Sequence, residues 1–173
     1  MVTTDARGLG TLLRHLLDLL DGDLDRVYAE MGLDYRPRYT PVMRILSAAG
    51  PSPIHDVARA AGITHSAASQ TVAQMATRGL VQVQPGQDLR RRIVRLSPKG
   101  EQMLPALRRQ WSRAAAAVAA LDAELPVPLA DAVTAAIEAL ERVPFKERMR
   151  VGGKPRRPSS LVARAEAVHA RRG

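Results

Sequence analysis

Residues 53–100 constrain this chain more than any other stretch, because a helix, a glycine break, a second helix and a hairpin follow one another there without spare residues. Ile54, Val57, Ala58 and Ala61 recur at helical spacing, Gly62 breaks the run, and a second helix is predicted from about Thr64 to Arg78. Two short helices joined by a tight glycine turn form a helix-turn-helix. The Thr64 hydroxyl is placed to accept a hydrogen bond from a first-turn N–H of the second helix and so to fix where it begins. At about 100° per residue, Ala68, Val72 and Met75 share one face, and Ser66, Ser69, Gln70, Ala73 and Thr77 lie opposite.

That opposite face is small, hydrogen-bonding and free of acidic residues. It reads either as an ordinary solvated surface or as a face that enters a DNA major groove without repelling phosphate. On the second reading Thr64, His65, Ser66, Ser69, Gln70 and Gln74 are the candidate contacts, and Gln70 can pair bidentately with adenine. Leu80, Val81 and Val83 then form a short strand, Pro85-Gly86 a turn, and Ile93, Val94 and Leu96 a returning strand. The hairpin tip carries Arg90, Arg91 and Arg92 beside Asp88. Such a cluster either keeps an exposed strand edge from pairing with other chains or inserts guanidinium groups into a narrow minor groove.

The run Asp88-x-Arg90-x-x-x-Val94-x-Leu96-Ser97-x-x-Gly100, preceded by Arg78-Gly79-Leu80-Val81, resembles the multiple-antibiotic-resistance regulator (MarR) family of bacterial winged-helix transcription factors. It is similar to that family's D-x-R wing, its L-[ST]-x-x-G exit and its G-L-[VI] entry. The resemblance covers about residues 35–143 and is specific between Pro53 and Gly100. It implies a mainly α (α+β) fold, a winged helix-turn-helix with N- and C-terminal dimerisation helices, and a homodimer; because each copy offers a single recognition helix, a symmetric dimer should bind a pseudo-palindromic double-stranded DNA operator. It also implies an effector between the dimerisation helices and the winged helix. Tyr28, Met31, Tyr35, Tyr39 and Arg44 fall in that stretch. They read either as a pocket for a small aromatic or anionic compound or, for the tyrosines and Met31, as packing at an element junction.

Outside this region, Leu9, Leu12, Leu13, Leu16, Leu20, Leu24, Val27 and Met31 predict an amphipathic helix with Gly22 as its point of interruption. A long alanine-rich helix should run from Pro98 through Trp111 to about Leu121, and a last one from about Pro128 to Val143. So small a winged helix cannot bury the apolar sides of these terminal helices, which a second copy could cover. The predicted layout is one domain over 1–143, with DNA binding in about 41–100 and dimerisation helices in 9–34 and 98–143. A basic tail over 144–173 is read as flexible to about Ser159, where Pro144, Gly152, Gly153, Pro155 and Pro158 interrupt it, with a short basic helix beyond.

The net charge is +9, of which +7 lies in 144–173. Within the folded part, Asp18, Asp21, Asp23, Asp25 and Glu30 make the first helix acidic, while Arg78, Arg90, Arg91, Arg92, Arg95 and Lys99 gather near the hairpin, an arrangement that turns one end toward phosphate. Without cysteine there is no disulfide and no thiolate sensor. His15, His55 and His169 lack ligand spacing, so no metal is expected. No nucleophile-and-base motif, phosphate-cradling glycine loop or paired carboxylates appear, so no catalytic residue or cofactor is assigned. No signal core or membrane-length apolar run occurs, and a cytoplasmic protein is expected. The competing reading is a non-specific, nucleoid-like DNA-binding protein whose affinity resides mainly in the tail.

Overall fold

The computed structural model describes residues 8–86 and 92–150. The chain divides into two compact units, Met1–Ala106 and Leu107–Gly173. The first opens with α1 (Leu9–Glu30), followed by a 3-10 turn at Pro37–Tyr39, α2 (Thr40–Ala49), β1 (Ser52–Pro53), α3 (Ile54–Ala61), α4 (His65–Thr77), β2 (Val81–Pro85) and β3 (Arg92–Leu96). The fifth helix, α5 (Pro98–Glu124), begins in this unit and ends in the next, which adds α6 (Leu129–Arg142) and α7 (Phe145–Arg150).

The winged-helix core forms where the apolar stripes of three helices meet the sheet. Val42, Met43 and Leu46 of α2, Ile54, Val57 and Ala58 of α3, and Ala68, Val72 and Met75 of α4 are buried together with Leu80, Val81 and Val94. The sheet is antiparallel in the order β1-β3-β2, with Val83 opposite Val94 in the hairpin and Ser52 opposite Val94 on the other edge. A strand as short as β1, half of it proline, offers no alternation to read, which is why the sequence pattern reveals the hairpin alone.

α1 runs through Gly22 without a break. One glycine inside a helix costs only about 1 kcal/mol, too little to divide a long helix, and the Gly22 carbonyl still accepts from Arg26 Nε at 3.3 Å. A second correction concerns the expected flexible tail, because α7 occupies its first six residues after Pro144. Pro144 starts this helix rather than breaking structure, since the N–H that proline lacks would be unpaired at a helix start anyway; its carbonyl accepts from the Glu147 and Arg148 N–H groups at 2.9 and 3.2 Å.

Charged side chains close both ends of α6. The N–H of Leu129 donates to Asp122 Oδ1 at 2.8 Å, and Arg148 donates from Nε to Val143 O at 3.0 Å and from Nη2 to Ala139 O at 2.6 Å. The helix expected beyond Ser160 lies outside the described residues. Among those residues no helix is long and apolar enough to cross a membrane.

Candidate nucleic-acid interface

The turn between α3 and α4 is set by Gly62, whose φ of 65° lies in the left-handed region that side chains disfavour. Its N–H donates to Arg59 O at 3.2 Å and that of Ile63 to Ala58 O at 3.0 Å, which closes the end of α3 with two nested bonds. Two residues on, Thr64 Oγ1 accepts from the Ala67 N–H at 3.2 Å and starts α4 where the sequence places it. The cap therefore fixes the register of the whole exposed face.

On that face Thr64, His65, Ser66, Gln70, Ala73 and Thr77 are exposed, and Ser69 is half-buried on one flank. The Thr77 hydroxyl bonds back to Ala73 O at 3.1 Å. Gln74 lies on the other flank, half-buried, with Oε1 shielded from solvent and without a hydrogen-bond partner among the described residues.

The hairpin follows at once. Arg92 opens β3 opposite Pro85 and is exposed, and Arg95 Nε donates to Gln82 Oε1 across the strands at 3.0 Å. Asp88, Arg90 and Arg91 lie outside the described residues. Ser97 ties hairpin to helix: its Oγ donates to Gly79 O and accepts from the Gly100 N–H at 3.0 Å. That bond caps α5 and gives a physical reason for the serine and glycine of the Leu96-Ser97-x-x-Gly100 run.

Arg78 pairs with residues outside the hairpin. At the end of α4 it donates from Nε to Asp34 Oδ1 and from Nη1 to the Tyr39 hydroxyl, both at 3.0 Å, and Lys99 Nζ donates to its carbonyl at 2.9 Å. The hydrogen bond it donates to Asp34, then the charge interaction with Tyr39, push its pKa above the ordinary arginine value. These partners stand 39 and 44 residues away in the chain, so no local pattern reveals that Arg78 is a clamp on α4.

The residues expected to bind a ligand separate into two places. Tyr28, Tyr35 and Tyr39 are buried and stack edge-on, with ring centroids 4.7 and 5.8 Å apart, and the Tyr35 hydroxyl donates to Thr40 Oγ1 at 3.1 Å. Met31 is half-buried at the end of α1, and Arg44 is exposed on a separate groove beside Thr40, Pro41, Ile45, Ala60 and Ala61. The tyrosines thus join elements. A different cleft, of about 310 Å³, is lined by Asp21, Asp25, Arg36, Pro37, Arg38 and Arg78, and nothing in the sequence pattern points to it. No group of three or more His, Asp or Glu side chains among the described residues could hold a metal ion.

Comparison with known proteins supports this architecture. A family model described as MarR family matches residues 32–92. Over these residues the chain is similar to the MarR family. The match takes in α2, α3, α4 and β2 and ends at the first residue of β3. Among solved structures, the PcaV transcriptional regulator from Streptomyces coelicolor, in complex with its natural ligand, aligns with a TM-score of 0.55 at 24% identity, covering 83% of this chain and 96% of that one. A probable transcriptional regulator from Pseudomonas aeruginosa aligns at 0.53 and 23% identity, covering 77% and 96%. A MarR family regulator from Neisseria meningitidis aligns at 0.53 and 19%, covering 82% and 94%. At these identities the likeness establishes the MarR winged-helix fold. No curated protein sequence matches the chain.

Proposed function

We propose that this chain is a cytoplasmic, homodimeric, sequence-specific DNA-binding regulator of transcription, tuned by a small-molecule effector. The observation that carries the reading is the exposed face of α4. It holds Ser66, Gln70, Ala73 and Thr77 without an acidic side chain, is fixed in register by the Thr64 cap, and leads directly into the arginine-bearing hairpin. In this reading Thr64, His65, Ser66, Ser69 and Gln70 meet base edges and backbone in a major groove. Arg90, Arg91 and Arg92, with Asp88 beside them, serve the wing. Gln74 sits at the margin of that surface and contributes least.

Dimerisation is supported by apolar side chains that each unit leaves exposed: Leu9, Leu12, Leu13, Leu17 and Leu20 on α1, and Val133, Ile137 and Leu140 on α6. Surfaces of this kind are covered in the assembled state of soluble proteins. The domain layout fits this division, with DNA contacts in about 41–100 and dimer contacts in 9–34 and 98–143.

A gel-shift series with DNA from upstream of the chain's own gene and its neighbours tests the assignment. Gln70→Ala should lower operator affinity by on the order of 1–3 kcal/mol and leave scrambled DNA almost unaffected. Arg90→Ala should weaken both and reduce the salt slope by about one unit. Equal loss on operator and scrambled DNA for Gln70→Ala would contradict base reading by α4 and favour the non-specific, tail-driven alternative.

A further inference from the structure

The cleft between the second half of α1, the residues leading into α2 and the end of α4 brings together three guanidinium groups and two carboxylates. Most of these charges are already paired. Arg36 Nη1 bonds Asp25 Oδ2 at 3.0 Å, and Arg78 Nε bonds Asp34 Oδ1, also at 3.0 Å. Two are not: among the described residues, neither Asp21 nor Arg38 takes part in an ion pair with any partner, each other included, although both line the same cleft. Asp21 projects from α1. Arg38 lies in the turn before α2, its guanidinium 5.7 Å from the centre of the Tyr39 ring.

An anion and a cation left over across one small cleft are complementary to a molecule that carries both charges. With Asp34 counted beside Arg78, carboxylates and guanidiniums balance, so a ligand of net charge in either direction would leave an excess, whereas a dipolar one would not. We propose that this cleft binds a small zwitterion of the amino-acid class, its carboxylate on Arg38 and its ammonium on Asp21. Arginine suits the carboxylate end because its fork can donate two parallel bonds. The other end also favours an ammonium, since partial burial, then Asp25 and Asp18, raise the Asp21 pKa, and a cation would relieve that crowding. A cleft of about 310 Å³ stands at the small end of ligand sites and suits so small a molecule.

The consequence for regulation rests on the function proposed above. Arg78 lines this cleft and clamps the end of α4 through Asp34 and Tyr39, so a ligand seated on Arg38 and Asp21 beside it alters how α4 is held.

Amide NMR titration of the full-length chain without DNA tests the site itself, and a chain that recognised no operator would still reveal it. Glycine and 4-aminobutyrate serve as zwitterions of short and long span, with butyrate and butylamine as single-charge controls. At least one zwitterion should shift the signals of residues 21, 36, 38 and 78 saturably, at least tenfold more tightly than either control. Arg38→Gln and Asp21→Asn, both surface changes whose folding the rest of the spectrum verifies, should each weaken that binding about tenfold or more. No saturable shift with either zwitterion, butyrate binding as tightly as the better zwitterion, or unchanged binding by both variants would overturn the proposal.

Discussion

Gly100 is fixed by a backbone atom rather than by its own conformation. A Cβ built there would stand 2.2 Å from the carbonyl oxygen of Leu80, which itself accepts from the Ser97 N–H at 3.0 Å. Alanine normally gains up to about 1 kcal/mol over glycine inside a helix. Forcing α5 off a backbone carbonyl that cannot rotate aside costs more, on the order of 1–3 kcal/mol. Gly100→Ala should therefore lower the denaturation midpoint without changing the denaturant slope, and a stabilised variant would show that α5 and the Gly79-Leu80 step are not in contact.

Asp21 gives a residue-scale test in pH. Its folded pKa is raised above 3.8 by partial burial first and by Asp25 and Asp18 next, with Arg36, Arg38 and Arg78 facing it across the cleft. The native state thus holds this proton more tightly than the unfolded chain, so its contribution to stability is greatest below the unfolded pKa and falls as pH rises through the folded one. Asp21→Asn, which removes the charge, should raise the melting temperature at neutral pH. The advantage should shrink toward pH 4, and a constant difference across that range would contradict the assigned cause.

At the scale of elements, much is legible in the sequence because local signals agree with one another. Gly62 and Thr64 delimit α3 and α4 by backbone chemistry that acts within three residues, and the Ala68, Val72, Met75 stripe leaves α4 one face to bury. The clamp of Arg78 on Asp34 and Tyr39 is not legible, because such pairing is decided by the packing of distant segments. The stacking of Tyr28, Tyr35 and Tyr39 meets the same limit, since composition does not reveal which rings touch. Short α7 escapes the pattern for another reason: Pro144 begins a helix, although a proline near glycines and basic residues reads as a break.

α7 also alters what truncation should do. Arg148 holds the carbonyls of Ala139 and Val143, so a chain ending at Val143 loses the closure of α6, whereas one ending at Arg150 keeps it. Hydrogen exchange at the last turn of α6 should quicken in the shorter chain alone. Equal exchange in both would mean that Arg148 contributes nothing to that helix end.

At the scale of the whole molecule, the claim is that two copies present two α4 helices to one duplex. Electrostatics alone does not establish it, because +7 of the +9 net charge belongs to residues 144–173 and would attract any DNA. Sequence preference and two-fold geometry separate regulation from that background attraction. The fold and the exposed faces of α4, α1 and α6 are largely written in local patterning; the pairing of copies is not, since it depends on which apolar face meets which.

Footprinting of the full-length protein on its upstream DNA, with the same titration on a scrambled duplex, tests this most directly. Two copies on one duplex should protect a pseudo-palindrome whose half-sites are centred roughly 10 bp apart, or a multiple of that, with affinity at least about a thousandfold above the scrambled sequence. Protection of one half-site only, or equal binding to both duplexes, would contradict it.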